Sequence, residues 1–236
     1  MWQHIGIGDI VFSFIEGVDL LNFSNLVNCK IVKNYVSYVS MCCPQKDMRI
    51  ISGKFKGRKF FPPADNWPTR PTTDFAKEGL FNVLNNHFDF EETKVLDLFG
   101  GTGNHTYEFI SRGCEDVTYV DKHAPAVRFV RETAKKLDIE AHLRVIQGDV
   151  FRFIATAYEQ YDYIFAGPPY PLPTLDTIPD KVFAKKILRG DGWFVLEHNP
   201  NHNFQNHPHF YQVRNYGKTI FSVFKNDPTF VEAINP

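Results

Sequence analysis

The sequence predicts an α/β fold organised on a mostly parallel sheet, and three observations carry that expectation. From Lys94 onward, short apolar runs alternate with helical patterns without a break, as parallel strands joined by crossover helices require. The first apolar run ends in Asp97-Leu-Phe-Gly-Gly-Thr-Gly103, a turn whose glycines lack Cβ atoms and let the backbone approach a ligand lying across the strand's carboxyl edge. The chain then closes with Phe210 to Val213 and Ile220 to Phe224 around Asn215-Tyr-Gly-Lys218, an antiparallel pair. With 236 residues, 43% of them apolar and 22% charged, there is enough chain for one large domain with a sizeable core and a small appendage.

Residues 1–47 sustain neither a helical nor a strand period, and Met48 opens a segment of different character, so the first 47 are expected to be an upstream extension outside the main domain. Residues 48–69 read as a basic hairpin, because Met48-Arg-Ile-Ile-Ser-Gly-Lys-Phe-Lys-Gly-Arg-Lys-Phe-Phe61 alternates apolar and basic residues around Gly53 and Gly57. From Met48 to Lys77 seven basic residues stand against two acidic ones, while the whole chain carries a net charge of −1. Contact with nucleic acid therefore falls to this patch, to Arg49, Lys54, Lys56, Arg58 and Lys59. A lysine-guarded edge that blocks strand aggregation has the same composition.

The main domain is expected at residues 70–226, followed by a tail at 227–236. Arg70-Pro-Thr-Thr-Asp74 offers a cap for a helix with Phe75, Gly79, Leu80, Val83 and Leu84 on its apolar face. Strands are expected at Val95 to Phe99, Val117 to Asp121, Leu143 to Gln147, Tyr161 to Ala166 and Trp193 to Glu197. Helices are expected from Asn104 to Arg112, stopped by Gly113; after Pro125, with Val127, Val130, Ala134 and Leu137 inward; and near Asp180 to Leu188.

Carboxylates at successive strand ends suggest the chemistry. Asp121 falls 18 residues after Gly103, where it can accept from both hydroxyls of a ribose. Asp149 can accept from an adenine amino group while the Val150 backbone meets the ring edge, and Asp97 can face an ammonium group. Arg70, Thr72, Phe99, Gly101 and Gly103 complete the candidate cofactor contacts. In a G-x-G-x-x-G pattern the third glycine would fall at Thr106, so packing for a dinucleotide pyrophosphate is not specified. S-adenosylmethionine, which has no phosphate, suits these carboxylates better. Later, Gly167-Pro-Pro-Tyr170 follows an apolar strand end: Pro168 and Pro169 stiffen carbonyls that can accept from an amine, and Tyr170 offers a face for a flipped-out base. Each feature alone also has a plain structural reading as a turn, a cap or a stiff loop.

Other residues narrow the classes. Cys29, Cys42, Cys43 and Cys114 form no paired C-x-x-C steps, and no stretch approaches eighteen apolar residues, so a reducing, cytoplasmic setting without a membrane span is expected. His198, His202, His207 and His209 lack the spacing of a zinc site and read as a solvated loop, and no metal is expected.

Taken together, the basic opening at Met48, Arg70-Pro-Thr-Thr-Asp74, Leu80-Phe-Asn82, the glycine turn and the Pro-Pro-Tyr step resemble the RsmD-type family, bacterial enzymes that methylate guanine N2 in small-subunit (16S) ribosomal RNA. The resemblance runs from about Met48 to Phe224. It implies a class I methyltransferase, Rossmann-like fold with seven mostly parallel strands, S-adenosylmethionine as cofactor, a catalytic loop of Gly167, Pro168, Pro169 and Tyr170, and RNA held partly by the basic hairpin. It further implies a monomer acting on the assembled or assembling small subunit, by direct in-line transfer to N2 without metal or covalent intermediate. One departure bears on activity. The family pattern places Asp or Asn before Pro-Pro-Tyr, and Gly167 has no side-chain acceptor, which predicts a slow or inactive enzyme. A catalytically silent RNA- or ribosome-binding protein, a Pro-Pro-Tyr methyltransferase of protein glutamine or DNA adenine and, more distantly, a nicotinamide oxidoreductase are the competing readings.

Overall fold

The computed structural model of the chain describes residues 48–62 and 72–227. The extension at residues 1–47, Arg70, Pro71 and most of the tail lie outside them. Two short strands, β1 (Met48–Arg49) and β2 (Lys59–Phe60), pair antiparallel and form the basic hairpin. Seven further strands make one sheet: β3 (Lys94–Leu98), β4 (Asp116–Asp121), β5 (Leu143–Gln147), β6 (Tyr161–Ala166), β7 (Leu188–His198), β8 (Phe210–Tyr216) and β9 (Thr219–Phe224). Their order is β5-β4-β3-β6-β7-β9-β8, parallel from β5 through β7, with β9 antiparallel to both β7 and β8.

Strand periodicity divides the core. Val95, Val117, Tyr163, Trp193 and Val195 face one layer, whereas Leu96, Leu98, Ile164, Phe194 and Leu196 face the other. Helices α1 (Asp74–Leu84), α2 (Asn104–Ser111) and α3 (Ala124–Leu137) cover the first face, and α4 (Val150–Thr156) and α5 (Ile178–Ala184) cover the second. The chain crosses to β4 after β3 and enters β7 after β6, so the carboxyl ends of the adjacent strands β3 and β6 flank the point where winding reverses. Open α/β sheets place their ligands at such a crevice.

Several elements differ from the sequence expectation, α4 among them because no helix was expected at Val150–Thr156. Helix α5 ends at Ala184, and β7 already begins at Leu188, five residues before the aromatic run that suggested it. In α1 the buried positions are Ala76, Lys77, Leu80, Phe81 and Leu84, while Phe75 is 72% exposed. A lysine on the inner face turns the helix away from its apparent apolar stripe. Lys77 Nζ lies 3.3 Å from Glu108 Oε2, 2.7 Å from Asn104 Oδ1 and 2.5 Å from the Arg49 carbonyl. Burial lowers its pKa, and Glu108 partly offsets that.

Glu108 also holds the hairpin, accepting from the Ile51 and Ser52 amides at 2.8 and 3.0 Å. Gly53 follows at φ +80°, and a Cβ built there would lie 1.7 Å from the Ser111 carbonyl oxygen. Replacing Gly53 by Ala is therefore expected to lower stability by about 2 kcal/mol, from left-handed backbone strain and overlap with an immovable carbonyl. Equilibrium urea unfolding measures it; an unchanged midpoint would mean that the hairpin is not docked on α2.

Candidate active site

A cavity of about 250 Å³ opens at the carboxyl ends of β3, β4, β6 and β7. Its first wall is the glycine turn. Phe99, Gly101 and Gly103 take φ of +56°, +51° and +77°, which fold the chain back between β3 and α2. Gly100 must be glycine, because a Cβ there would lie 2.3 Å from the Tyr119 ring. Tyr119 in turn donates its hydroxyl to the Gly101 carbonyl at 2.7 Å. Gly103 caps α2 and is not itself part of the cavity wall.

Asp97 and Asp121 are the carboxylates of this wall. Asp97 is fully buried; its Oδ2 accepts from the Thr106 hydroxyl at 2.6 Å, and its Oδ1 has no hydrogen-bond partner among the described residues. Burial pushes the carboxyl up to about 7, against the Thr106 hydrogen bonds that pull it down. Asp121 is held by the Gly101 amide at 2.9 Å and the His123 amide at 2.7 Å. Thr106, at the place of a third glycine, thus serves the cavity's central carboxylate.

The facing wall is the loop after β6. Gly167, Pro168, Pro169 and Tyr170 all line the cavity, and the Gly167 amide continues the ladder to the Leu98 carbonyl at 3.1 Å. Beneath them His105 stacks on Phe165 with ring centroids 3.8 Å apart and bonds the Tyr163 hydroxyl at 3.0 Å. Burial holds its pKa well below the ordinary histidine value, so it is a neutral floor and not a charge.

Not every candidate converges here. Thr72 joins Asp97, Phe99, Gly101 and Asp121 at the cavity. Asp149 is exposed and caps α4 by accepting from the Arg152 amide at 3.0 Å, and Val150 is buried in the core of the second face. Neither borders the cavity, and Arg70 lies outside the described residues. Of the basic set, Arg49 pairs with Asp74 at 3.1 Å, while Lys54 and Arg58 flank the buried Phe55 ring. Lys54 also donates its amide to the Ser111 carbonyl, at the end of α2 opposite Asn104, and Lys54, Lys56 and Arg58 do not line the cavity. Lys59 is exposed in β2.

Glu197 was missed as a member of the site. It is the last residue but one of β7, is 5% exposed and lines the cavity, where its carboxylate accepts from Thr72 and Tyr170. Its place at a strand end, like that of Asp97 and Asp121, was the available signal. The histidines are not a solvated loop: His198 is buried and bonds Ser222 at 2.8 Å, and His202 and His207 pair with Asp176 and Asp180. No helix among the described residues is long and apolar enough to cross a membrane.

Comparison with known proteins agrees with this architecture. Residues 48–225 match the family model described as conserved hypothetical protein 95. YlbH of Bacillus subtilis is 36% identical over 154 residues, covering 64% of this chain and 82% of that protein. Ribosomal RNA small subunit methyltransferase D of Buchnera aphidicola is 31% identical over 150 residues, covering 64% of this chain and 75% of its own. Among solved structures, a 16S rRNA N2 methyltransferase (RsmC) of T. thermophilus, in complex with AdoMet and guanosine, superposes with a TM-score of 0.58 at 19% identity over 77% of this chain and 50% of that one. The fold is that of class I methyltransferases, and the chain belongs to the conserved hypothetical protein 95 family, the RsmD-type family that its motifs resemble.

Proposed function

We propose that the protein transfers a methyl group from S-adenosylmethionine to the exocyclic N2 of a guanine in small-subunit ribosomal RNA. The observation that carries this reading is the buried Oδ1 of Asp97 in the cavity wall, across from the Pro-Pro-Tyr loop, which has no partner among the described residues. A carboxylate oxygen taken out of water without a donor is costly, and a cationic amino-acid group removes that cost. Asp97 would hold the ammonium, Asp121 the ribose hydroxyls, and the glycine turn would admit the body of the cofactor without side-chain interference. Asp149 and Val150, which do not border the cavity, have no part in this arrangement. When bound, S-adenosylmethionine supplies an electrophilic methyl group on sulfur.

The chain's own contribution at the acceptor side is positioning. Tyr170 offers its ring to an extruded base, and the Pro168 carbonyl accepts an N–H of the exocyclic amine, so that the amine's lone pair is left free to react. The relatives named for small-subunit rRNA methylation support the substrate class, and the basic hairpin supports RNA contact beyond the target nucleotide.

Tritium-methyl transfer to small subunits lacking the modification, followed by nucleoside mass spectrometry, tests the proposal; the expected product is N2-methylguanosine, formed slowly. Methylation of adenine in DNA or of a protein glutamine instead would overturn it. A second reading, a cofactor-binding but catalytically silent ribosome-binding protein, is favoured by Gly167, and calorimetric binding of S-adenosylmethionine without any turnover would select it.

A further inference from the structure

Glu197 is a buried carboxylate at the cavity. It gathers three segments far apart in sequence: the Thr72 hydroxyl donates to Oε2 at 2.5 Å, and the Tyr170 hydroxyl donates to Oε1 at 3.1 Å. The base of this clasp is fixed. Glu197 sits within the β7–β9 ladder opposite Phe221, and its neighbour His198 is bonded to Ser222. The Thr72 side is fixed too, because the Thr72 carbonyl accepts from Asn104 Nδ2 at 3.2 Å, and Asn104 is itself held by Lys77.

By contrast, Tyr170 sits in an irregular loop, half-buried, between Pro169 and Pro171. The prolines stiffen the backbone but do not themselves fix the torsions of the tyrosine side chain. A hydrogen bond from the phenol to an anchored carboxylate restrains the ring's position. We infer that Glu197 is a positioning residue: through the Tyr170 hydroxyl and Thr72 it locks the ring on which the methyl-accepting base is laid, and it ties the Pro-Pro-Tyr loop to the segment entering α1. The inference rests on the proposed function for the identity of the base, but the lock itself is a property of the free protein.

The effect required is one of alignment. Displacement of reacting groups by about an ångström costs on the order of a hundredfold in rate. Glu197→Ala is expected to slow single-turnover methyl transfer at saturating S-adenosylmethionine by about one to two orders of magnitude. Glu197→Gln should restore most of the rate. Its amide oxygen accepts from Tyr170, and its amide nitrogen can donate to the Thr72 hydroxyl, which accepts as well as donates.

Tyr170→Phe keeps the ring and loses the bond, so its effect and that of Glu197→Ala should not multiply in the double variant. In 13C-tyrosine spectra of the protein without ligands, the Tyr170 ring signals should shift in Glu197→Ala and return in Glu197→Gln. Unmoved ring signals, an equal loss for Gln and Ala, or multiplying effects would overturn the inference. If no RNA is methylated by any variant while the ring signals still respond to Glu197→Ala, the substrate reading fails and the clasp stands.

Discussion

Gly167→Asp raises the rate of methyl transfer to small-subunit RNA about a hundredfold or more, because it restores an acceptor at the position where the amine gains positive charge. The space for it exists. A Cβ at Gly167 would lie 3.1 Å from Phe165 Cε1, a tight contact in a backbone conformation open to any residue. The Phe165 ring must yield by a few tenths of an ångström, sliding along the face of His105 on which it is stacked. The backbone is already set by the Gly167 amide bond to Leu98, and Gly167 and Pro168 both line the cavity. One well-placed polar contact of this kind is worth about 2.7–4 kcal/mol at the transition state.

Two companion substitutions separate chemistry from packing. Gly167→Asn supplies the acceptor without the charge and should recover much of the gain, whereas Gly167→Ala adds only the Cβ and should recover none. Single-turnover assays with saturating S-adenosylmethionine measure all three. If the Asp variant is no faster than the natural chain, Gly167 is not the cause of slow transfer, and the role given to this position is wrong.

How much of this was legible in the sequence depends on how local each cause is. The glycine turn, β5, β6 and the closing β8–β9 pair are visible because apolar alternation and turn residues act over a few positions. The face of α1 was misjudged because Lys77 is paid back by Glu108, 31 positions later, and a lysine seen alone reads as solvent-facing. Asp149 could equally be a ligand or a cap at a strand end, and local sequence does not distinguish them; the short helix α4 that it caps went unrecognised. Glu197 meets partners 125 and 27 positions away, a convergence that only the sheet order reveals.

Asp97→Asn is expected to weaken S-adenosylmethionine binding by about 2–4 kcal/mol, roughly thirty- to a thousandfold in Kd, since it leaves a buried ammonium without its counter-charge. The pH dependence identifies the cause. With its carboxyl pushed up to about 7 by burial, Asp97 in the free protein is protonated below that pH, and an ammonium selects the ionised form. Apparent affinity in the natural chain should therefore fall as pH drops below 7, by up to about tenfold per unit, with a proton released on binding; the Asn variant should be flat.

Stability moves the other way. Because the folded pKa is above the ordinary 3.8, the folded state holds a proton that the unfolded chain has lost, and the natural chain loses stability as pH rises from about 4 to 7. Asn resembles the protonated acid and can still accept from the Thr106 hydroxyl, so at pH 8 the variant should unfold at a higher temperature than the natural chain while binding cofactor worse. A damaged fold would lower both. Calorimetry from pH 6 to 8 with thermal unfolding at each pH decides the matter: unchanged cofactor affinity in the Asn variant would remove Asp97 from the site, and a lowered melting temperature at pH 8 would show its charge to be satisfied within the free protein.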